Sequence, residues 1–211
     1  MLYEKFYEEY TNQNGELKGR FTYNDNFNFA FDVLDELAKS SPDALALIHK
    51  SLHGHVTRFT FAQIAKESAK IANMLKADGI GKGDAVMLVM KRRYELWFVM
   101  MALHRLGAVA IPTSHMVTGE DIESRLIRAN AKGIVILNDG YIVSEVSKVF
   151  ENKELDAKVL KYNVGDELDG FKHLTKNAIN FEDTIDRPDN KATDPMFYYF
   201  TSGTSGAPKC V

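Results

Sequence analysis

Ala85-Val-Met-Leu-Val-Met90 follows the turn Gly81-Lys-Gly-Asp84 and is apolar at every position. A strand with one wet face alternates apolar and polar residues, whereas one covered on both faces does not. The run is therefore expected as a central parallel strand. Upstream, Thr60-Phe-Ala-Gln63 has the form of a capping box, the Thr hydroxyl taking one unpaired helix amide and Gln63 reaching back to another. The helix it opens carries Phe61, Ile64, Ala65, Ser68, Ala72 and Leu75 on one face, and Gly79 supplies a left-handed stop. Downstream, residues 92–106 keep helical spacing, with Trp97, Met100, Met101 and Leu103 expected inward and Gly107 ending the helix. Ala108-Val-Ala-Ile111 reads as a buried strand stopped by Pro112, and Thr118 caps a helix with Ile122, Leu126 and Ala129 inward. A strand at Gly133-Ile-Val-Ile-Leu137, a helix over 142–150 and a strand over 157–160 complete the series.

This alternation predicts an α/β fold: a mostly parallel sheet with right-handed crossovers, covered by helices on both faces. Before it, residues 1–27 are polar and aromatic without a sustained period, and are expected to wrap over the surface. Asn28 can cap a helix carrying Ala30, Val33, Leu34, Leu37 and Ala38, and two short strands, 44–48 and 56–60, flank a turn at Gly54. Residues 1–55 are thus expected as a wrapping segment and 56–211 as the α/β core. The charge-rich stretch 163–195 reads as a solvated connector, delivering the chain to a buried aromatic strand, Met196-Phe-Tyr-Tyr-Phe200.

The bulk properties exclude several classes. With 45% hydrophobic and 26% charged residues the chain has an ordinary globular composition. A net charge of −3 argues against nucleic-acid binding, which shows as a basic excess. One cysteine forms no internal disulfide and fits a reducing compartment. The acidic start Met1-Leu-Tyr-Glu-Lys-Phe-Tyr-Glu-Glu9 is unlike a signal peptide, and no apolar run is long enough to span a bilayer. Cytoplasmic is the default expectation.

After the aromatic strand comes Thr201-Ser-Gly-Thr-Ser-Gly-Ala-Pro-Lys209. Gly203 and Gly206 allow positive φ and close approach of backbone to a ligand. Converging amides in such a turn form an anion-binding nest, to which Thr201, Ser202, Thr204 and Ser205 add hydroxyls and Lys209 a mobile positive charge. A plain polar turn is the alternative for any Gly/Ser loop, but two glycines, four hydroxyls and a lysine in nine residues favour a phosphate cradle. A Walker-type loop fits poorly, since Pro208 precedes Lys209 and Cys210-Val211 looks like a returning strand.

The nine-residue loop resembles, over its whole length, the phosphate-binding loop of the AMP-forming adenylating enzymes: acyl-CoA synthetases, peptide-synthetase adenylation domains and firefly-type luciferases. Phe27-Asn-Phe-Ala-Phe-Asp-Val-Leu-Asp35, Phe59-Thr-Phe-Ala-Gln-Ile64, Gly81-Lys-Gly-Asp84 and Arg105-Leu-Gly-Ala108 are similar to the N-terminal half of acyl-CoA synthetases. The opening segment and Gly119-Glu-Asp-Ile-Glu-Ser-Arg-Leu126 resemble the medium-chain and acetate-using branches in particular. The resemblance implies ATP-dependent activation of a small-molecule carboxylic acid to an acyl-adenylate, then transfer to coenzyme A. It implies ATP, Mg²⁺ and coenzyme A as cosubstrates or cofactors. Thr201, Ser202, Gly203, Thr204, Ser205 and Gly206 would cradle the β- and γ-phosphates, and Lys209 would neutralise the leaving pyrophosphate as the catalytic residue. The family also has an adenine and acyl pocket, a Tyr-x-x-Thr-Glu segment, a ribose-binding Asp and a lid domain with a catalytic Lys. None lies within these 211 residues, so the chain is expected to be an N-terminal portion, inactive alone. A portion of an aryl- or amino-acid-activating enzyme, or a non-catalytic partner-binding half-domain, are the alternatives. Acyl-chain preference and oligomeric state stay open.

Other residues carry weaker expectations. His53 and His55 flank Gly54 without a third metal ligand in view and read as turn residues. Ser114-His115 lacks the glycine elbow of a nucleophile, and Cys210 is expected to point into the core. Lys91-Arg-Arg93 would sit at a helix start, either as a phosphate-contacting cluster or as a solvated turn.

Overall fold

The computed structural model describes residues 2–201 and 209–211. A 3₁₀ turn, Leu2–Lys5, leads into an exposed antiparallel hairpin of β1 (Tyr7–Thr11) and β2 (Leu17–Phe21). Asn28 then starts a helix as expected: its side chain accepts from the Ala30 amide at 3.1 Å while its own amide donates to Asp32 at 2.7 Å. The first part, Ala30–Leu34, is π-helical and runs into α1 (Asp35–Ser40). Next come the antiparallel pair β3 (Leu45–Lys50) and β4 (Val56–Thr60), then α2 (Phe61–Ala77). The Thr60–Gln63 capping box is present in both directions, and Gly79 takes φ +95° after the helix.

The parallel sheet follows. Its elements are β5 (Ala85–Val89), α3 (Glu95–Arg105), β6 (Val109–Thr113), α4 (Gly119–Arg128), β7 (Gly133–Leu137) and α5 (Gly140–Val149). They continue with α6 (Lys153–Lys158), β8 (Leu160–Val164), β9 (Lys172–His173) and α7 (Leu174–Ala178). The strand order is β6-β5-β7-β8-β9, every neighbour parallel. β5 and β7 are buried at all positions, which is why their sequences do not alternate. The chain steps from β5 out to β6, then back across β5 to β7. With right-handed crossovers, those opposite steps put α3 and α4 on opposite faces. Accordingly α2 packs with α3 and α7, and α4 packs with α5.

One buried charge ties the N-terminal helix to this layer. Arg105, 3% exposed, bonds both carboxylate oxygens of Asp35 (2.9 and 2.5 Å), Ser68 Oγ (3.0 Å) and the Ala65 carbonyl (3.4 Å). Arg105 and Arg187 both lie over the Phe31 ring, their guanidinium carbons 5.1 and 5.2 Å from its centroid.

Several expectations need correction. The strand expected over 157–160 is strand only at its last residue: Asn152 accepts from the amides of Glu154 and Leu155 and opens α6, so β8 begins at Leu160. Trp97 is 48% exposed, because α3 turns Phe98, Val99, Met101 and Ala102 inward instead. The 163–195 stretch is no free connector. It contains β9 and α7, with Leu174 and Ala178 buried. Its remainder is pinned: Asn73 donates to the Glu182 and Thr184 carbonyls, Lys82 to Asp189, and Arg187 to Asp32 and the Asn26 carbonyl. Asn190 donates to the Phe27 carbonyl at 3.0 Å, and the Ala192 amide to Asp25 at 2.6 Å.

Candidate functional site

The pinned stretch delivers residues 196–201 to the open edge of the sheet at β6. The Ala110 amide donates to the Met196 carbonyl (3.1 Å) and the Tyr198 amide to the Ala110 carbonyl (3.0 Å), forming one parallel bridge. The segment therefore runs with β6 and leaves toward the carboxyl ends of the strands, where ligands of such sheets bind. It is not the buried strand expected from its aromatics. Met196, Phe197, Tyr198 and Phe200 are half-buried and Tyr199 is 48% exposed, because the ladder to β6 ends after one bridge. From Tyr199 the backbone bonds instead to Val211, in both directions at 2.8 and 2.9 Å. That pair extends a short antiparallel ribbon of β10 (Phe200–Thr201) and β11 (Lys209–Cys210).

In this ribbon Thr201 lies directly opposite Lys209, and both are exposed. A hydroxyl and an ammonium thus stand side by side and open to solvent, a donor pair suited to phosphate oxygens. Ser202, Gly203, Thr204, Ser205 and Gly206 fall outside the described residues. Cys210, expected in the core, is exposed, since nothing described covers the ribbon on its side.

The other carboxyl ends carry the remaining candidates. Lys91 spans from the end of β5 to Asp139 after β7, at 2.6 Å. That hydrogen bond, with those from the Tyr141 and Ile142 amides, holds the Asp139 carboxyl below its usual range. Arg93 pairs with Glu95 at 2.5 Å in the first turn of α3, and the Glu95 side chain is 4% exposed. Of Lys91-Arg-Arg93, two members are therefore engaged within the protein. Ser114 Oγ accepts from the Met116 amide at 3.2 Å. His53 and His55 are exposed on the β3–β4 turn. Among the described residues no three His, Cys, Asp or Glu side chains converge as a metal cage.

One residue near the ribbon was missed. Arg125 on α4 lies over the Phe200 ring, 5.5 Å from its centroid. In the sequence it reads only as a partner for Asp121 one helical turn earlier.

No helix among the described residues is long and apolar enough to cross a membrane. The profile of the family described as AMP-binding enzyme matches residues 34–211. Human "Acyl-coenzyme A synthetase ACSM5, mitochondrial" is 35% identical over 203 residues, covering 92% of this chain and 34% of that protein. Mouse "Acyl-coenzyme A synthetase ACSM4, mitochondrial" is 33% identical over 191 residues, covering 87% and 32%. The chain thus spans about a third of the length of the curated relatives it matches. An anthranilate CoA ligase, AuaEII, solved with anthranoyl-AMP, superposes with TM-score 0.79 at 19% identity, over 90% of this chain and 35% of that one. The Brucella canis acyl-CoA synthetase gives 0.77 at 24%, over 90% and 34%. Both share the fold. With a profile match running from Leu34 through the Thr201–Lys209 ribbon to the final residue, the chain belongs to the AMP-binding enzyme family.

Proposed function

We propose that this chain is the N-terminal part of the adenylation domain of an acyl-CoA synthetase, residues 1–55 wrapping the core formed by 56–211. The enzyme activates an acetate- to medium-chain carboxylic acid with ATP and transfers the acyl group to coenzyme A. The observation that carries the reading is the exposed Thr201–Lys209 pair at the carboxyl edge of a parallel sheet.

The substrate carboxylate attacks the α-phosphorus of ATP, the bond to the bridging oxygen breaks, and pyrophosphate departs with the electron pair. The Lys209 ammonium meets the charge that grows on the leaving group. Hydroxyls of Thr201, Ser202, Thr204 and Ser205, with the amides of Gly203 and Gly206, hold the β- and γ-phosphates. Fixed donors aimed at developing charge lower the barrier without reorganising. In the second half-reaction the thiol of coenzyme A attacks the acyl carbonyl, loses its proton and displaces AMP. Mg²⁺ would be held chiefly by the phosphates and water.

Losing one such donor is worth about 2.7–4 kcal/mol. In the full-length protein, Lys209→Ala should slow acid-dependent ATP–pyrophosphate exchange by about 10²- to 10³-fold. Unchanged exchange refutes the assignment. The anthranilate ligase neighbour favours an aryl acid as the second reading, and a panel of aliphatic and aryl acids separates the two. A cytoplasmic location belongs to the same proposal; the named human and mouse relatives are mitochondrial, and imaging of the tagged protein decides it.

A further inference from the structure

Among the described residues five arginines stack on an aromatic ring: Arg20, Arg93, Arg105, Arg125 and Arg187. Four of them also hydrogen-bond a carboxylate: Glu8, Glu95, Asp35 and Asp32 respectively. Arg125 does not. Its nearest carboxylate oxygen, on Asp121, is 3.9 Å away, and its side chain is 16% exposed. Its Nε is buried with no hydrogen-bond partner. A guanidinium so well covered and so loosely paired is unfavourable unless something else holds it. Among the described residues, what lies against it is the face of the Phe200 ring.

Phe200 occupies a position where the backbone leaves room for a side chain to decide the geometry. Hydrogen bonds from β6 reach Met196 and Tyr198 and go no further. Beyond them the backbone bonds of the described residues go to the returning strand, and those bonds do not set the angle at which the ribbon departs from the sheet. The helix that contacts Phe200, α4, is itself anchored by the buried Ile122 and Leu126 on either side of Arg125.

We infer that Arg125 is a positioning residue for the phosphate step: by bearing on Phe200 it sets the orientation of the ribbon that carries Thr201 and Lys209. The inference rests on the phosphate-binding reading of that ribbon. Arg125 lies beside Phe200, whose residue alternates with Thr201, so Arg125 acts through the strand and not on the ligand.

The test uses the full-length protein and four variants, with Lys209→Ala as a control: Arg125→Met, Arg125→Lys, Phe200→Leu, and Arg125→Met combined with Phe200→Leu. Pyrophosphate exchange is measured against ATP and against the acid, and amide hydrogen exchange is followed at Tyr199 and Val211. Arg125→Met and Phe200→Leu should each lower kcat/KM for ATP about tenfold, a desolvated cation–π contact, and leave KM for the acid within about twofold. The double variant should lose no more than either single one, because one contact is removed in all three. Arg125→Lys should recover part of the loss. Amide exchange at Tyr199 and Val211 should quicken in both single variants, whereas Lys209→Ala suppresses turnover and leaves it unchanged. Losses that multiply in the double variant, unaltered kcat/KM for ATP in Arg125→Met, or equal shifts for ATP and acid overturn the inference. If the unmodified protein shows no acid-dependent exchange of pyrophosphate, the adenylation reading is what fails. The clamp is then decided by hydrogen exchange, and unchanged protection at Tyr199 and Val211 overturns it.

Discussion

Replacing Asp35 by Asn removes one charge from the fold and changes little else. Arg105 would keep its bonds to Ser68 and Ala65 but exchange the two charge-assisted bonds to the Asp35 carboxylate for at most one to a neutral oxygen. An Asn can offer one oxygen to the guanidinium; its amide group would meet the second N–H donor to donor. Because Arg105 is 3% exposed, the cation left behind is not rescued by bulk water. Breaking a buried pair from one side costs about 3–5 kcal/mol. Asp35 is itself 23% exposed, so some water reaches the gap and the lower end, about 3 kcal/mol, is the working value. For a domain of this size that lowers Tm by about 6–12 °C. Urea titration followed by circular dichroism should show an earlier midpoint with an unchanged m-value. The companion variant Asp35→Leu with Arg105→Met removes both charges and should be less destabilised than Asp35→Asn, since apolar groups of similar volume replace buried ion pairs at little loss. A loss below about 1 kcal/mol in Asp35→Asn, or a double variant at least as damaged, refutes the claim that uncompensated burial is what makes this pair matter.

Burial, with the Arg105 charge adding, depresses His104 from 6.5 to about 4, and its Nε2 accepts from the Phe29 amide at 2.9 Å. The unfolded chain takes up a proton below pH 6.5 that the folded one refuses, so stability should fall by on the order of 3 kcal/mol between about pH 6.5 and 4, then level off. Urea midpoints across that window should slope less in His104→Gln; parallel slopes contradict it. Gly119→Ala would bring a Cβ within 2.9 Å of the Glu145 carbonyl and should lower Tm, whereas Gly140→Ala, with open space, should not.

Much of this architecture was legible because each signal was local. The apolar run at 85–90 could only be a strand covered on both faces, and Thr60, Gln63 and Thr118 carry their caps in their own side chains. The misread parts depend on distant partners. Tyr162 looks too polar for a core strand, yet its hydroxyl donates to Asp78, 84 residues earlier, at 3.0 Å, and the residue is buried. The 163–195 stretch looks solvated because several of its charges, Asp183, Arg187 and Asp194, are spent on partners more than a hundred residues away: Lys66, Asp32 and Lys82 respectively. At the candidate site the donors Thr201 and Lys209 were readable as chemistry. Arg125 was not, since helical spacing pairs it with Asp121 and only the tertiary fold sets it over Phe200.

The bond from Asn190 to the Phe27 carbonyl spans 163 positions along the chain. At a translation speed of 5–20 residues per second, Phe27 emerges from the ribosome on the order of 10–30 s before its partner exists. Within that interval α2 and α3 are made and give Ala30 and Leu34 a surface to settle against, while Asp25 to Asn28 still have nothing from the far segment. Closure of the N-terminal segment onto residues 187–192 is therefore a late event in biogenesis, falling close to the moment when residues 196–201 are made and can reach the sheet edge.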